Sequence, residues 1–95
     1  MKTFSIMHLK KPKRYMTWQD NNKDNSFVRK TKGACLAHWL RINYSERLRT
    51  LDIENHQNWR RIKIMAEVIN LDIKLTFKLN GIYTYSVTET KPKSL

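Results

Sequence analysis

Apolar and polar positions alternate near both ends of the chain and recur at helical spacing in its middle. Between Asp72 and Asn80, Ile73, Leu75, Phe77 and Leu79 fall on one side and Lys74, Thr76 and Lys78 on the other, the period of a strand. Ile82 to Val87 continues the pattern beyond Asn80-Gly81, a dipeptide that accepts the positive φ angles of a tight hairpin turn. A two-residue loop places Tyr83, Tyr85 and Val87 on the lysine face. A three-residue loop Leu79-Asn80-Gly81, with Gly81 left-handed in a bulge, instead aligns Phe77 with Tyr83, Leu75 with Tyr85 and Ile73 with Val87. Because a one-residue slip exchanges the faces of a strand, the apolar pattern favours the bulged loop.

Three helices precede this hairpin. The first starts near Thr31, whose hydroxyl can cap the first turn, and buries a stripe of Cys35, Leu36, Trp39, Leu40 and Asn43 while exposing Lys32, His38 and Arg41. Arg47-Leu48-Arg49 reads as one short strand rung. A short second helix covers Leu51 to His56, with Thr50 as its cap and Asp52 and Glu54 at its positive end. Gln57-Asn58 makes the turn, and Asn58 caps a third helix from Trp59 to Asn70. Trp59, Ile62, Met65, Ala66 and Ile69 form its buried stripe; Arg60, Lys63, Ile64 and Glu67 face the other way, with Arg61 and Val68 on the flank.

The N-terminal segment also alternates, from Thr3 to Leu9, before Pro12 interrupts hydrogen bonding. Tyr15 to Trp18 suggests a second short strand, and the Asn- and Asp-rich run 20–25 a loop. Residues 1–26 are therefore expected to form a basic arm, able to fold as a hairpin, residues 27–88 a domain, and residues 89–95 a frayed tail.

Charge sharpens this picture. The net charge is +11, and residues 1–33 hold nine basic side chains against two acidic ones. Such a field concentrates polyanions, so nucleic acid is the leading partner class. Hydrophobic residues make up 40% of the chain, enough for a core, but no apolar run reaches the roughly 18 residues that span a bilayer. A single cysteine allows no internal disulfide and fits a reducing, cytoplasmic setting. Cys35 and His38 have a C-x-x-H spacing but no second ligand pair, and no phosphate-cradling glycine loop exists. No enzyme, metal or cofactor is expected.

Residues 31–88 resemble the winged helix-turn-helix DNA-binding proteins of phages and other mobile elements. TKGACLAHWL looks like their first helix, LRTLDIENHQNWRRIKIMAEVI like the helix-turn-helix, and DIKLTFKLNGIYTYSV like the wing. The resemblance implies an α+β winged helix-turn-helix domain of three helices and a C-terminal β-hairpin, preceded by the basic arm. It also implies a transcription regulator that reads duplex DNA by placing helix 59–70 in the major groove. Arg60 and Lys63 would meet base edges, with Gln57 or Asn58 reading adenine. Arg61, Lys74, Lys78 and the cluster Lys10, Lys11, Lys13 and Arg14 would hold phosphates. Such proteins usually bind as homodimers, here through the N-terminal strand or the Trp39 helix. Two alternatives stand beside it. One is a phage-type inhibitor docking on a host nuclease or nucleic-acid-guided defence complex, in the manner of an anti-CRISPR protein. The other is RNA binding, with Tyr83 and Tyr85 as a stacking pair.

Overall fold

The first strand, β1 (Lys2–Leu9), lies at the centre of a five-stranded antiparallel sheet. The computed structural model describes residues 2–10, 13–19 and 26–90. The other strands are β2 (Arg14–Gln19), β3 (Phe27–Arg29), β4 (Leu71–Leu79) and β5 (Ile82–Glu89), in the order β3-β2-β1-β5-β4. Between β3 and β4 run helix α1 (Lys32–Leu48), a single 3-10 turn at Ile53–Asn55 and helix α2 (Trp59–Val68).

The pattern of Phe4, Ile6 and His8 explains the position of β1. Phe4 stands opposite Gln19 on one side and Tyr85 on the other, and Ile6 stands opposite Thr17 and Tyr83. Opposed residues share a sheet face, so Phe4, Ile6, Tyr85, Val87, Leu71 and Ile73 form one apolar surface. Both helices pack on this face. Leu36, Trp39, Leu40 and Leu48 of α1 and Ile62 and Ala66 of α2 complete the buried core with Ile53 of the 3-10 turn. Phe4 stacks on Trp39 with ring centroids 4.1 Å apart and on Tyr85 at 5.5 Å. The other face of the sheet, with Met7, Met16, Trp18 and Thr84, is covered by no helix among the described residues.

This fold overturns the winged helix-turn-helix expectation. There are two α-helices among the described residues, not three. The expected second helix is only the 3-10 turn, in which Asp52 makes no side-chain cap. Arg47-Leu48-Arg49 is not a strand rung but the end of α1, where Leu48 is fully buried. A bend at Tyr44 (φ −137°, ψ 35°) redirects that last turn toward the core. The C-terminal hairpin is no wing, because β5 pairs with β1 along six residues. Nor are the first residues an appended arm: Phe4 and Ile6 are as buried as any side chain in the molecule. The expected loop at 20–25 and the tail at 91–95 lie outside the described residues.

The hairpin register also differs. Leu75 does oppose Tyr85 and Ile73 does oppose Val87, yet Phe77 opposes Thr84 and Leu79 opposes Ile82. The turn is the two-residue Asn80-Gly81, with φ angles of 50° and 80°. The extra residue is Thr76, inside the strand, where its hydroxyl donates to the Thr84 carbonyl at 3.1 Å. One inserted residue brings Ile73 and Leu75 into register with Val87 and Tyr85 on the helix face, and a bulge supplies it without opening a turn that Asn-Gly already fits. Leu75, expected in the core, is 49% exposed at the sheet edge.

Candidate nucleic-acid interface

Both helices begin at the same place. Thr31 caps α1 by accepting from the Ala34 N–H at 3.0 Å, and Asn58 caps α2 by accepting from the Arg60 N–H at 2.9 Å and the Arg61 N–H at 3.4 Å. Gly33 allows the two starts to meet. A Cβ on Gly33 would lie 1.9 Å from the Gln57 carbonyl oxygen and 2.8 Å from the Trp59 nitrogen. The glycine often found in a helix-turn-helix turn is missing from His56-Gln57-Asn58, and the close approach is made instead from the facing helix.

A groove of about 930 Å³ opens at this junction. His8 and Tyr15 form one end, with their rings stacked at 5.0 Å. Lys13, Lys30, Lys32 and Arg60 bring four cations to its walls, Gln57 and Asn58 line it between them, and no acidic side chain lines it among the described residues. The free N–H groups of two helix starts add partial positive charge to the same space.

From the groove a ladder of cations and rings runs toward the hairpin tip. Lys32 Nζ lies 4.2 Å from the centre of the Trp59 ring and 4.8 Å from that of Tyr83. Lys63 adds a second cation over Trp59 at 5.2 Å, and Lys78 one over Tyr83 at 4.9 Å. Burial lowers the pKa of Lys32 below its ordinary value, and the positive charges of Lys78, Arg60 and Lys63 lower it further. An anion seated in this region would lessen that repulsion.

The structure brings together Lys13, Gln57, Asn58 and Arg60 of the expected residues, with Lys63 and Lys78 along the ladder. The Asn58 oxygen is committed to its cap, so a two-pronged contact with adenine is lost. Arg61 is exposed on α2, one residue beyond Arg60. Lys10 is exposed at the end of β1; Arg14, opposite Leu9, belongs to the uncovered face. Lys74 also lies on that face, opposite Ser86, and pairs with Asp72 at 3.3 Å. Lys11 lies outside the described residues. The sequence does not point to His8, Tyr15, Lys30, Lys32 or Trp59 as site residues, and it points to Tyr83 only as half of a stacking pair for RNA. The one local signal was Gly33 in the first turn of a helix, an unfavourable place for glycine unless another backbone must come close.

Tyr85 is buried under Trp59, and Tyr83 lies beneath Lys32 and Lys78, so this pair offers no free stacking platform. Cys35 and His38 do not share a ligand site. The Cys35 thiol donates to the Phe27 carbonyl at 3.4 Å, and His38 packs edge-on against Phe27 with Arg29 at 2.8 Å from Nδ1. No helix among the described residues is long and apolar enough to cross a membrane.

Fold and groove together define an α+β protein that has, among the described residues, a five-stranded antiparallel sheet, two helices on one face and a cationic cleft where those helices start. No family model, curated protein or solved structure matches this chain.

Proposed function

We propose that this protein binds nucleic acid by seating a phosphate strand in the groove between the starts of α1 and α2. The observation that carries the proposal is the convergence of Lys13, Lys30, Lys32 and Arg60 on one acid-free groove among the described residues. Lysine and arginine side chains that neutralise phosphates release condensed counterions, which supplies most of the affinity for a polyanion. Lys63, Lys78 and the exposed Arg61 extend the track beyond the groove. Arg61, exposed in the first turn of α2 and outside the groove lining, is the side chain best placed to meet base edges of duplex DNA once a backbone occupies the groove.

The test is fluorescence polarisation with a labelled DNA duplex, a single DNA strand and a single RNA strand of equal length. Alanine at Lys30, Lys32 and Arg60 together is expected to weaken binding of the preferred form by at least tenfold at moderate salt. Alanine at Arg14 and Lys74, on the uncovered face, is expected to change it little. Equal loss from both sets would place binding elsewhere, and no binding of any form at low salt would end the proposal.

A further inference from the structure

Resting on the phosphate-binding reading above, we infer that the groove also holds an unpaired nucleobase, stacked on the open ring face of His8. A strand with an unpaired nucleotide is then preferred to one without. His8 and Tyr15 stand opposite each other on β1 and β2, and their rings stack at 5.0 Å with 20° between their planes. On its other side Tyr15 stands opposite Arg29 of β3, whose guanidinium lies 2.8 Å from Nδ1 of His38. The stack can therefore grow on the His8 side.

On that side the neighbouring strand runs out. β1 pairs with β5 from Lys2 to Met7, and the last pair is Met7 with Ile82. One residue further the register reaches Gly81, which has no side chain, and a Cβ built there would meet nothing within 4 Å. Phe4 and Ile6, on the same face of β1, are fully buried beside Tyr85 and Tyr83, whereas His8 is exposed. The column that those tyrosines fill is thus open next to His8. Neighbouring strands lie about 4.8 Å apart and stacked rings about 4.5–7 Å between centroids, so one missing column leaves room for one planar ring.

The surroundings suit a base that carries phosphates better than an isolated aromatic group. Lys32 lines the groove together with His8 and stands over Tyr83, two residues along β5 from Gly81, so it borders the open column. Lys13, just ahead of β2, lines the same groove, and a phosphate on either side of the nucleotide meets a cation. Gln57 is a further lining residue, with an amide that can both donate to and accept from a base edge. Bases inside a duplex have both faces covered by their neighbours. An unpaired base does not, and its exposed face is what aromatic side chains, histidine included, take up by stacking.

Fluorescence polarisation on the full chain tests this with probes that differ only in their bases. One pair is a DNA duplex with a short thymine overhang and the same duplex with abasic nucleotides in the overhang; the other is a free thymine strand and its abasic counterpart. Phosphate number is equal within each pair. Wild type is expected to bind a base-bearing probe about fivefold or more tighter than its abasic twin. A difference in one pair alone assigns the base to an overhang or to a free strand. His8→Ala, at an exposed position, is expected to abolish the difference and His8→Phe to keep it, while Lys30→Ala/Lys32→Ala/Arg60→Ala weakens base-bearing and abasic probes alike. Equal binding of both twins by wild type, with each still weakened by the triple variant, would overturn the stacked base and leave the phosphate reading standing. A His8→Phe that discriminates no better than His8→Ala would overturn it as well, and no binding of any probe would end both readings.

Discussion

Gly33 is the residue on which the groove's shape depends most. Alanine in a helix interior is normally favoured over glycine by up to about 1 kcal/mol. At Gly33 the new methyl would meet the Gln57 backbone at 1.9 Å, and backbone cannot swing aside as a side chain can. Overpacking of this kind costs about 1–3 kcal/mol, so Gly33→Ala is expected to destabilise the protein by about 1–2 kcal/mol in urea unfolding. An increase in stability would show that the helix starts do not touch. Cys35 offers a second check at this scale. Burial pushes its thiol from the ordinary value of 9 up to about 11, against the opposing effects of the Thr17 hydroxyl and, after it, the Arg29 charge. The unfolded chain therefore ionises first as pH rises. Stability from this group is complete below pH 9 and is lost as pH climbs through 11. Below that window the folded thiol is expected to react with a disulfide reagent only as fast as the protein opens; rapid labelling at pH 8 would contradict its burial.

At the scale of elements, what was legible in the chain was local. The stripe Cys35, Leu36, Trp39 and Leu40, the caps at Thr31 and Asn58, and the alternation around Asn80-Gly81 each depend on neighbours within a few residues, and each appears in the structure. Strand partners are not local. The pairing of β1 with β5 joins Phe4 to Tyr85, and nothing in either segment names the other. The basic cluster after Leu9 made the N-terminal segment look like an appendage, although the alternation of Phe4 and Ile6 already suited a buried strand. The same separation hid half of the site. Arg60 and Lys13 could be named from their basic surroundings, whereas Lys32 looked like an exposed charge on a scaffold helix until Trp59 and Tyr83 were brought beneath it. Placement of β1 at the sheet centre has a direct consequence. Deletion of residues 1–26 removes β1 and β2 with the core side chains Phe4 and Ile6, and the remainder is expected to lose its cooperative thermal transition. A truncated chain that still melts cooperatively would return those residues to the status of an arm.

For the whole molecule, the charge of +11 matters less than where the sheet and helices gather it. The uncovered sheet face contains Arg14 and Lys74, but Lys74 is paired with Asp72, while the groove brings together Lys13, Lys30, Lys32 and Arg60 without an acid among the described lining residues. Burial, and after it the neighbouring charges of Lys78, Arg60 and Lys63, lower the Lys32 pKa, and bound phosphate would offset the part due to those charges. The most direct measurement is the salt dependence of binding to a DNA duplex, for wild type and for Lys30→Ala/Lys32→Ala/Arg60→Ala. Each phosphate contact contributes about −0.9 to the slope of log affinity against log salt, so the triple variant is expected to lose about 2–3 from the magnitude of the wild-type slope. An unchanged slope would mean that this groove holds no phosphate.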